Sequence, residues 1–180
     1  MSRLVFALAM FFFPNPYQGD LFQVPLPMSL LAYDLAEQHG IAPEDIIGTM
    51  IAEHGGGYPY ASDSEGDAGE LGLMQISTYW RRKYNKSHAD AKVDAAGMLD
   101  WRQNMRVAAW TIAQMQLTHD AQPARCRKRP HHWIAHYRCA SRVRGTDACK
   151  TKWREGLIDY LSGWRAAAPP WTTGADKWNM

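Results

Sequence analysis

The sequence has almost no excess charge, few cysteines and no apolar run long enough to cross a bilayer as a helix. Its 20 basic and 18 acidic residues give a formal net charge of +2. This balance gives no case for nucleic-acid binding, which requires a concentrated positive surface. The longest apolar run has about ten residues, whereas a transmembrane helix needs about 20.

The three cysteines, Cys126, Cys139 and Cys149, lie close together late in the chain. Because their number is odd, at least one thiol is free or paired with another chain. One disulfide is expected if the protein works outside the cytoplasm. The sequence leaves the choice of pair open.

The apolar run from Leu4 to Phe13 is similar to the apolar region of a signal peptide. Pro14, Asn15 and Pro16 end it, and no clear small-residue cleavage motif follows. Two interpretations stay open. The run is either a helix or strand packed on the rest of the chain, or a segment that targets the protein or contacts a membrane.

The composition, 46% hydrophobic and 12% aromatic, is enough for one sizeable core and one domain. We expect an apolar segment and proline-rich linker over residues 1–27, a main domain over 28–165 and an extended tail over 166–180. Apolar residues at helical spacing predict a mainly α fold. The expected helices cover residues 29–39, 43–53, 77–85, 100–119 and 147–163.

A carboxylate closes the second of these helices. Pro43, Glu44 and Asp45 suit a helix start, where proline is tolerated and negative charge is favoured. Glu53 lies on the apolar stripe of the helix, just before the glycines at 55–57 that are expected to end it. Burial and the helix dipole both disfavour an ionised carboxyl at this position. We therefore expect Glu53 to keep its proton near neutral pH, as a general acid must.

A second motif, Gly72-Leu73-Met74-Gln75-Ile76, follows the first, with Gln75 placed 22 residues after Glu53. Glycines at 66, 69 and 72 would let a backbone approach a ligand closely. Gln75 adds an amide that both donates and accepts, which suits sugar hydroxyl and acetamido groups.

Together, the helix-closing glutamate, the loop of small residues and Gly-Leu-Met-Gln-Ile resemble the lytic transglycosylase domain of the soluble (SLT) type, which is related to goose-type lysozymes. The core of the resemblance spans about residues 43 to 80. It implies a lysozyme-like domain with two lobes around a sugar groove and at most a very small β-hairpin near residues 58–76. The family usually has serine after the catalytic glutamate, where this chain has His54.

The resemblance also implies roles for individual residues. Glu53 would be the catalytic residue. Asn104, near the start of the longest helix, is expected to hold that helix against the loop rather than to touch substrate. Tyr137 falls on a family tyrosine whose hydroxyl approaches the catalytic carboxyl. The residues implied to bind substrate are Gly72, Met74, Gln75 and Tyr137.

The implied reaction cleaves the β-1,4 bond between N-acetylmuramic acid and N-acetylglucosamine in peptidoglycan. Glu53 would protonate the glycosidic oxygen and then, as a base, deprotonate the muramoyl C6 hydroxyl. That hydroxyl attacks C1 and leaves a 1,6-anhydro end, with no metal or cofactor. Two alternatives stay open: a hydrolytic muramidase with a second carboxylate among Asp63, Glu65 and Asp67, and a non-catalytic wall-binding component of a virion or secretion apparatus.

Two groups of residues bear on metal binding. Asp63, Glu65 and Asp67 alternate as in a calcium loop, but the glycine of an EF-hand belongs at the sixth position. His132 and His136 could coordinate zinc together with Cys126 or Cys139, but the sequence has no set of four ligands at conventional spacing. We predict no metal site.

The expected partners are peptidoglycan glycan strands, not nucleic acid. The N-terminal segment or the C-terminal tail could also dock on other proteins of a virion or secretion machine. The protein would act in the periplasm or at the cell wall, in a phage particle, in a conjugation-type apparatus or as a secreted protein of the bacterial envelope.

Overall fold

The computed structural model describes residues 3–11, 23–53, 63–66, 69–120 and 158–160. The α-helices are α1 (Arg3–Phe11), α2 (Leu26–His39), α3 (Pro43–Glu53), α4 (Thr78–Ser87) and α5 (Trp101–Asp120). Two short 3-10 helices, Ala89–Ala91 and Gly97–Leu99, connect α4 to α5. Within these ranges the β-structure consists of two isolated bridges, Glu65 with Leu71 and Leu71 with Ile76. The prediction of a mainly helical fold with at most a very small hairpin is confirmed, and the two-lobed shape stays a prediction.

Helix α3 is buried on all sides. Every side chain from Pro43 to Ala52 is buried, and the helix contacts both α2 and α5. Its predicted bounds at Pro43 and Glu53 are confirmed, while the glycines expected to end it lie outside the described residues. The apolar stripe of the sequence is therefore one part of a fully enclosed helix, as expected for an element at the centre of a core.

The acidic first turn of α3 is buried together with the rest of the helix. Glu44 is 1% exposed and Asp45 is 6% exposed. The side-chain amide of Gln116, on α5, donates a hydrogen bond of 2.7 Å to the Asp45 carboxylate. A buried carboxylate needs such donors, because its desolvation is costly otherwise. This bond fixes the beginning of α3 against the end of α5.

Helix α2 begins earlier than the sequence predicts. It starts at Leu26 with Pro27 in its first turn, and Ser29, where the predicted helix begins, is a buried residue inside it. Proline is tolerated there because the first turn of a helix has no intrahelical acceptor for its N–H groups. The predicted linker over residues 1–27 therefore includes the first residues of a helix. The predicted end is confirmed: Gly40 adopts φ 66° and its N–H bonds to the carbonyls of the last turn.

The apolar run near the N-terminus forms α1, which packs on α2. Phe6 and Met10 are buried in the core, and the Phe6 ring lies 5.7 Å from that of Tyr33. Leu4 and Leu8 are exposed on the outer side. The structure thus shows the packed helix, one of the two interpretations of this run. None of the described helices has the length and apolar character that crossing a membrane requires.

Helix α5 is the longest described helix, and its predicted bounds of 100–119 are confirmed to within one residue. Asp100 caps it, since its carboxylate accepts from the N–H groups of Arg102 at 2.9 Å and Gln103 at 3.0 Å. Helix α4 runs two residues beyond its predicted end. Of the helix predicted over residues 147–163, only residues 158–160 are described; they are helical and Ile158 is buried.

An aromatic cluster joins α4 to α5. The rings of Tyr84 and His88 stack with their centroids 4.1 Å apart, and the Trp110 ring meets both edge-on at 5.5 and 5.7 Å. His39, at the end of α2, lies close enough to interact with His88. Burial, and secondarily the charge of His88, lower the pKa of His39 below its ordinary value of 6.5.

The lowered pKa of His39 predicts a pH dependence of stability. Because the unfolded chain binds this proton more readily, the contribution is fully present above pH 6.5 and is lost as the pH falls through the lowered folded-state value. Replacing His39 by Gln should flatten this part of the profile, measured as the free energy of urea unfolding on both sides of pH 6.5. Gln38→Ala, at the exposed neighbouring position, should keep the wild-type slope. An unchanged slope in His39→Gln would contradict the assignment.

Candidate functional site

The loop from Leu71 to Ile76 is closed by its own backbone. The N–H of each of these two residues donates to the carbonyl of the other at 3.1 Å. Inside the loop, the Gln75 N–H donates to the Gly72 carbonyl at 3.0 Å. A further bond of 2.8 Å, from the Gly72 N–H to the Ser64 carbonyl, ties the loop to the preceding segment. The loop therefore has a fixed backbone although no regular strand flanks it in the described residues.

Gly72 is required by the fold at this point of the loop. It is buried and adopts φ 75°. A methyl group on its Cα would lie 2.2 Å from the Met98 carbonyl oxygen and 2.4 Å from the Asn104 amide nitrogen. The predicted close approach of a backbone at Gly72 is thus made by the chain itself. The prediction that Gly72 lets a ligand approach the backbone closely stays a prediction.

Asn104 anchors the loop to α5. Its side chain is fully buried and makes three hydrogen bonds. The carbonyl oxygen accepts from the Met74 N–H at 2.7 Å, and the amide nitrogen donates to the carbonyls of Leu71 at 2.8 Å and Met98 at 2.9 Å. The expectation that Asn104 holds the helix against the loop is confirmed.

Gln75 uses its amide nitrogen inside the loop. That nitrogen donates to the Ser64 hydroxyl and to the Gly72 carbonyl, both at 2.9 Å. Its carbonyl oxygen faces Gly66 beside the Glu70 carboxylate, because a methyl group on Gly66 would lie 2.6 and 2.7 Å from the two oxygens. The described hydrogen bonds of this amide are donated by its nitrogen within the loop, and the prediction that Gln75 binds sugar groups stays a prediction.

The backbone of Gln75 adopts φ 48°, a left-handed conformation that few residues other than glycine occupy. Such a conformation costs about 1–3 kcal/mol and persists only where the surroundings enforce it. Here the closed loop and the two side-chain bonds of Gln75 enforce it. This backbone conformation sets the direction in which the partly buried Gln75 side chain leaves the loop.

Met74 is a core residue. Its side chain is 0% exposed and belongs to the same hydrophobic cluster as Met105 and the last turn of α3. The Met74 side chain therefore packs in the core, and the prediction that Met74 binds substrate stays a prediction. Leu73, Met74 and Ile76 are all buried in the core, whereas Gln75 is only partly buried.

Glu53 ends α3 and is partly buried, in contrast to the ten fully buried residues before it. It is engaged in interactions with neighbouring groups. The structure thus confirms that Glu53 is the last residue of α3, but it places Glu53 in a partly buried position rather than on a fully buried stripe. Tyr137, the three cysteines and the histidine pair of the metal alternative lie outside the described residues.

The acidic residues between Glu53 and the loop divide into two kinds. Asp63 and Glu65 are exposed, and Glu70 is partly buried against Gly66. Within the residues that the structure describes, no three His, Cys, Asp or Glu side chains come together as metal ligands. The absence of a metal site stays a prediction.

Sequence reasoning missed Ser64, which supports Gln75 through its hydroxyl. The two residues are 11 positions apart in a loop, and no local pattern links them. The role of Met98, whose carbonyl accepts from Asn104, could not be predicted either, because every residue has a backbone carbonyl and the sequence does not show which one is used.

The chain matches no protein-family model, and no curated protein matches it. A functional assignment therefore depends on the residues and the geometry of this chain.

Asn104 is predicted to be essential for the stability of the loop. Replacing it by Ala removes the hydrogen bonds of its side chain to the Met74 N–H and to the carbonyls of Leu71 and Met98. The loss costs about 1–3 kcal/mol for each buried group that stays without a partner. Asn104→Ala should lower the free energy of urea unfolding by about 3–5 kcal/mol. Gln103→Ala, one position earlier on α5, should cost less than about 1 kcal/mol. Equal effects of the two changes would contradict the anchoring role.

Gly72 and Gly40 form a matched pair for a second test. Both have positive φ, but a methyl group meets nothing within 4 Å at Gly40 and meets backbone at 2.2 Å at Gly72. Gly40→Ala should cost about 1 kcal/mol of unfolding free energy, from backbone strain alone. Gly72→Ala should cost about 1–3 kcal/mol more, because the backbone of the 3-10 helix Gly97–Leu99 must move to make room for the methyl group. The close approach is refuted if thermal and urea unfolding give both variants the same loss.

Proposed function

We propose that the protein is a peptidoglycan lytic transglycosylase in which Glu53 is the single catalytic carboxyl. Its substrate would be the β-1,4 bond between N-acetylmuramic acid and N-acetylglucosamine. The lysozyme-like arrangement of two lobes around a groove is part of this proposal. The mainly helical fold, the position of Glu53 and the fixed loop at Gln75 support it.

The observation that carries the proposal is the position of Glu53 at the end of a buried helix. Residues Pro43 to Ala52 are buried, and Glu53 is the first residue of α3 that is only partly buried. A carboxylic residue at such a position has a rigid backbone and is partly shielded from water. Both properties suit proton transfer to a bound glycosidic oxygen.

The contacts of α5 support a common site for Glu53 and the loop. Gln116 binds Asp45 near the start of α3, and Asn104 binds the loop near the start of α5. From the helical rise, Glu53 lies about 12 Å along α3 from Asp45, and Asn104 lies about 18 Å along α5 from Gln116. An antiparallel course of α3 beside α5 would bring Glu53 to the end that holds the loop.

The mechanism uses one group twice. Glu53 donates its proton to the glycosidic oxygen as the bond to C1 breaks. The resulting carboxylate then removes the proton of the muramoyl C6 hydroxyl, whose oxygen forms a new bond to C1. The products are a free 4-hydroxyl on N-acetylglucosamine and a 1,6-anhydromuramoyl end, and the proton count balances without water. The Gln75 carbonyl oxygen would orient the sugar by accepting from a hydroxyl or acetamido N–H.

The proposed setting is the bacterial wall. A protein of this kind would open peptidoglycan locally for a larger machine, such as a phage particle or a conjugation apparatus. Its contacts with other proteins of that machine would involve the N-terminal segment or the C-terminal tail.

Glu53→Gln tests the proposal directly. The change keeps the shape of the side chain but removes its acid and base, and acid–base catalysis is worth about 10²–10⁴-fold. Release of soluble fragments from purified sacculi should therefore fall at least about 100-fold. Glu37→Gln, on the exposed side of α2, should retain wild-type activity. Mass spectrometry of the wild-type products should show 1,6-anhydromuramoyl ends.

Three results of this experiment would contradict the proposal. Full activity in Glu53→Gln would remove the catalytic role of this residue. Reducing ends in the products would identify a hydrolytic muramidase. No release of fragments by the wild type would favour a binding component without catalysis.

A further inference from the structure

Helix α4 has an exposed basic and aromatic face directly after the loop. Tyr79, Arg82, Lys83 and Lys86 follow one another at spacings of three, one and three residues, which places them on one side of the helix. Each of the four is exposed, and Tyr79 is 54% exposed. We call these four residues the α4 face.

The α4 face has a positive charge that the described part of the chain does not neutralise. The helix contains four basic residues and no acidic one. Within the described residues, the ion pair of the structure joins Arg3 to Asp34 on α1 and α2, away from α4. Uncompensated charge of one sign at a surface attracts ligands of the opposite sign. The near-neutral net charge of the whole chain hides this local excess.

Lys83 and the aromatic rings form one unit on this face. The Lys83 ammonium lies 4.9 Å from the centroid of the Tyr79 ring and 5.0 Å from that of the Trp80 ring. The two rings meet edge-on with centroids 5.3 Å apart. The rings hold the cation at a defined position, since an ammonium over an aromatic face is attracted by the ring.

Helix α4 also carries two buried donors for which the described residues provide no hydrogen-bond partner. The indole N–H of Trp80 and one guanidinium nitrogen of Arg81 are buried and have no hydrogen-bond partner in the described structure. Arg81 is partly buried, and its positive charge adds to that of the α4 face.

The α4 face is held rigidly next to the loop. Helix α4 begins two residues after Ile76, and the Trp80 and Tyr84 rings pack edge-on against Trp110 of α5 at 6.4 and 5.5 Å. Because α5 also holds the loop through Asn104, both features are attached to one helix. A polymer that reaches Gln75 can therefore continue along α4.

We propose that the α4 face binds the anionic part of a peptidoglycan strand, with the Tyr79 ring against a sugar and the cations of Arg82, Lys83 and Lys86 on stem-peptide carboxylates. A flat ring suits the apolar face of a sugar, and guanidinium and ammonium groups form charge-assisted hydrogen bonds with carboxylates. The identity of the polymer rests on the proposed function. The positive charge and the exposed ring of the α4 face are the reason for assigning it the stem-peptide carboxylates and a sugar of that polymer.

The test uses two double variants with the same change in net charge, in the full chain carrying Glu53→Gln so that the polymer stays intact. Arg82→Gln with Lys83→Gln removes two cations of the α4 face. Lys92→Gln with Arg102→Gln removes two exposed cations elsewhere. Binding to purified sacculi is measured by sedimentation at low and at high salt, and binding to neutral chitin oligosaccharides is measured in parallel. Circular dichroism checks that all variants fold.

The proposal predicts that the α4 double variant binds sacculi about tenfold more weakly at low salt, because two charge-assisted contacts are lost. The difference should shrink at high salt, since exposed charges are screened. Binding to neutral chitin should change little, and the control variant should bind sacculi like the parent. Tyr79→Ala should weaken binding to both polymers.

Equal binding of sacculi by the α4 variant and the control variant would overturn the proposal. A tenfold loss on neutral chitin would also overturn it, because no carboxylate is present there. Failure of the proposed function is seen separately, in the product assay with wild-type protein. If the wild-type protein released no fragments but the α4 double variant still bound sacculi more weakly at low salt, binding by the α4 face would be supported and the catalytic assignment would be contradicted.

Discussion

The side-chain amide of Asn104 is the contact on which the candidate site depends. Its oxygen accepts from the Met74 N–H, and its nitrogen donates to the carbonyls of Leu71 and Met98. A fully bonded buried amide specifies one arrangement, because any displacement exposes polar groups to an apolar core. The direction of Gln75 and the close approach at Gly72 both follow from this arrangement.

Helix α3 supplies the second constraint. Its enclosure on all sides fixes the backbone at Glu53, so the carboxyl group has a defined position where the core ends. Helix α5 contacts both parts, since Gln116 binds Asp45 and Asn104 binds the loop. Helix α5 can therefore set the position of the loop relative to α3, and α4 is attached to the same helix by its aromatic rings.

The sequence predicts features with local causes, and the family resemblance adds one contact between distant segments. The bounds of α3, the end of α2 at Gly40 and the anchoring role of Asn104 follow from spacing, from glycine or from the resemblance. The start of α2 is missed because Pro27 looks like a linker residue but is tolerated in a first helical turn. The burial of Met74 and the support of Gln75 by Ser64 depend on contacts between distant segments, which no local pattern records.

The central claim is that Glu53 and the loop at Gln75 belong to one glycan-binding site. Titration of isotope-labelled protein with a neutral chitin oligosaccharide, followed by backbone amide NMR, tests it most directly. The account predicts that the amide signals of Glu53 and of residues 72–76 shift together and saturate with the same dissociation constant. Shifts at only one of these two places, or at neither, would contradict it.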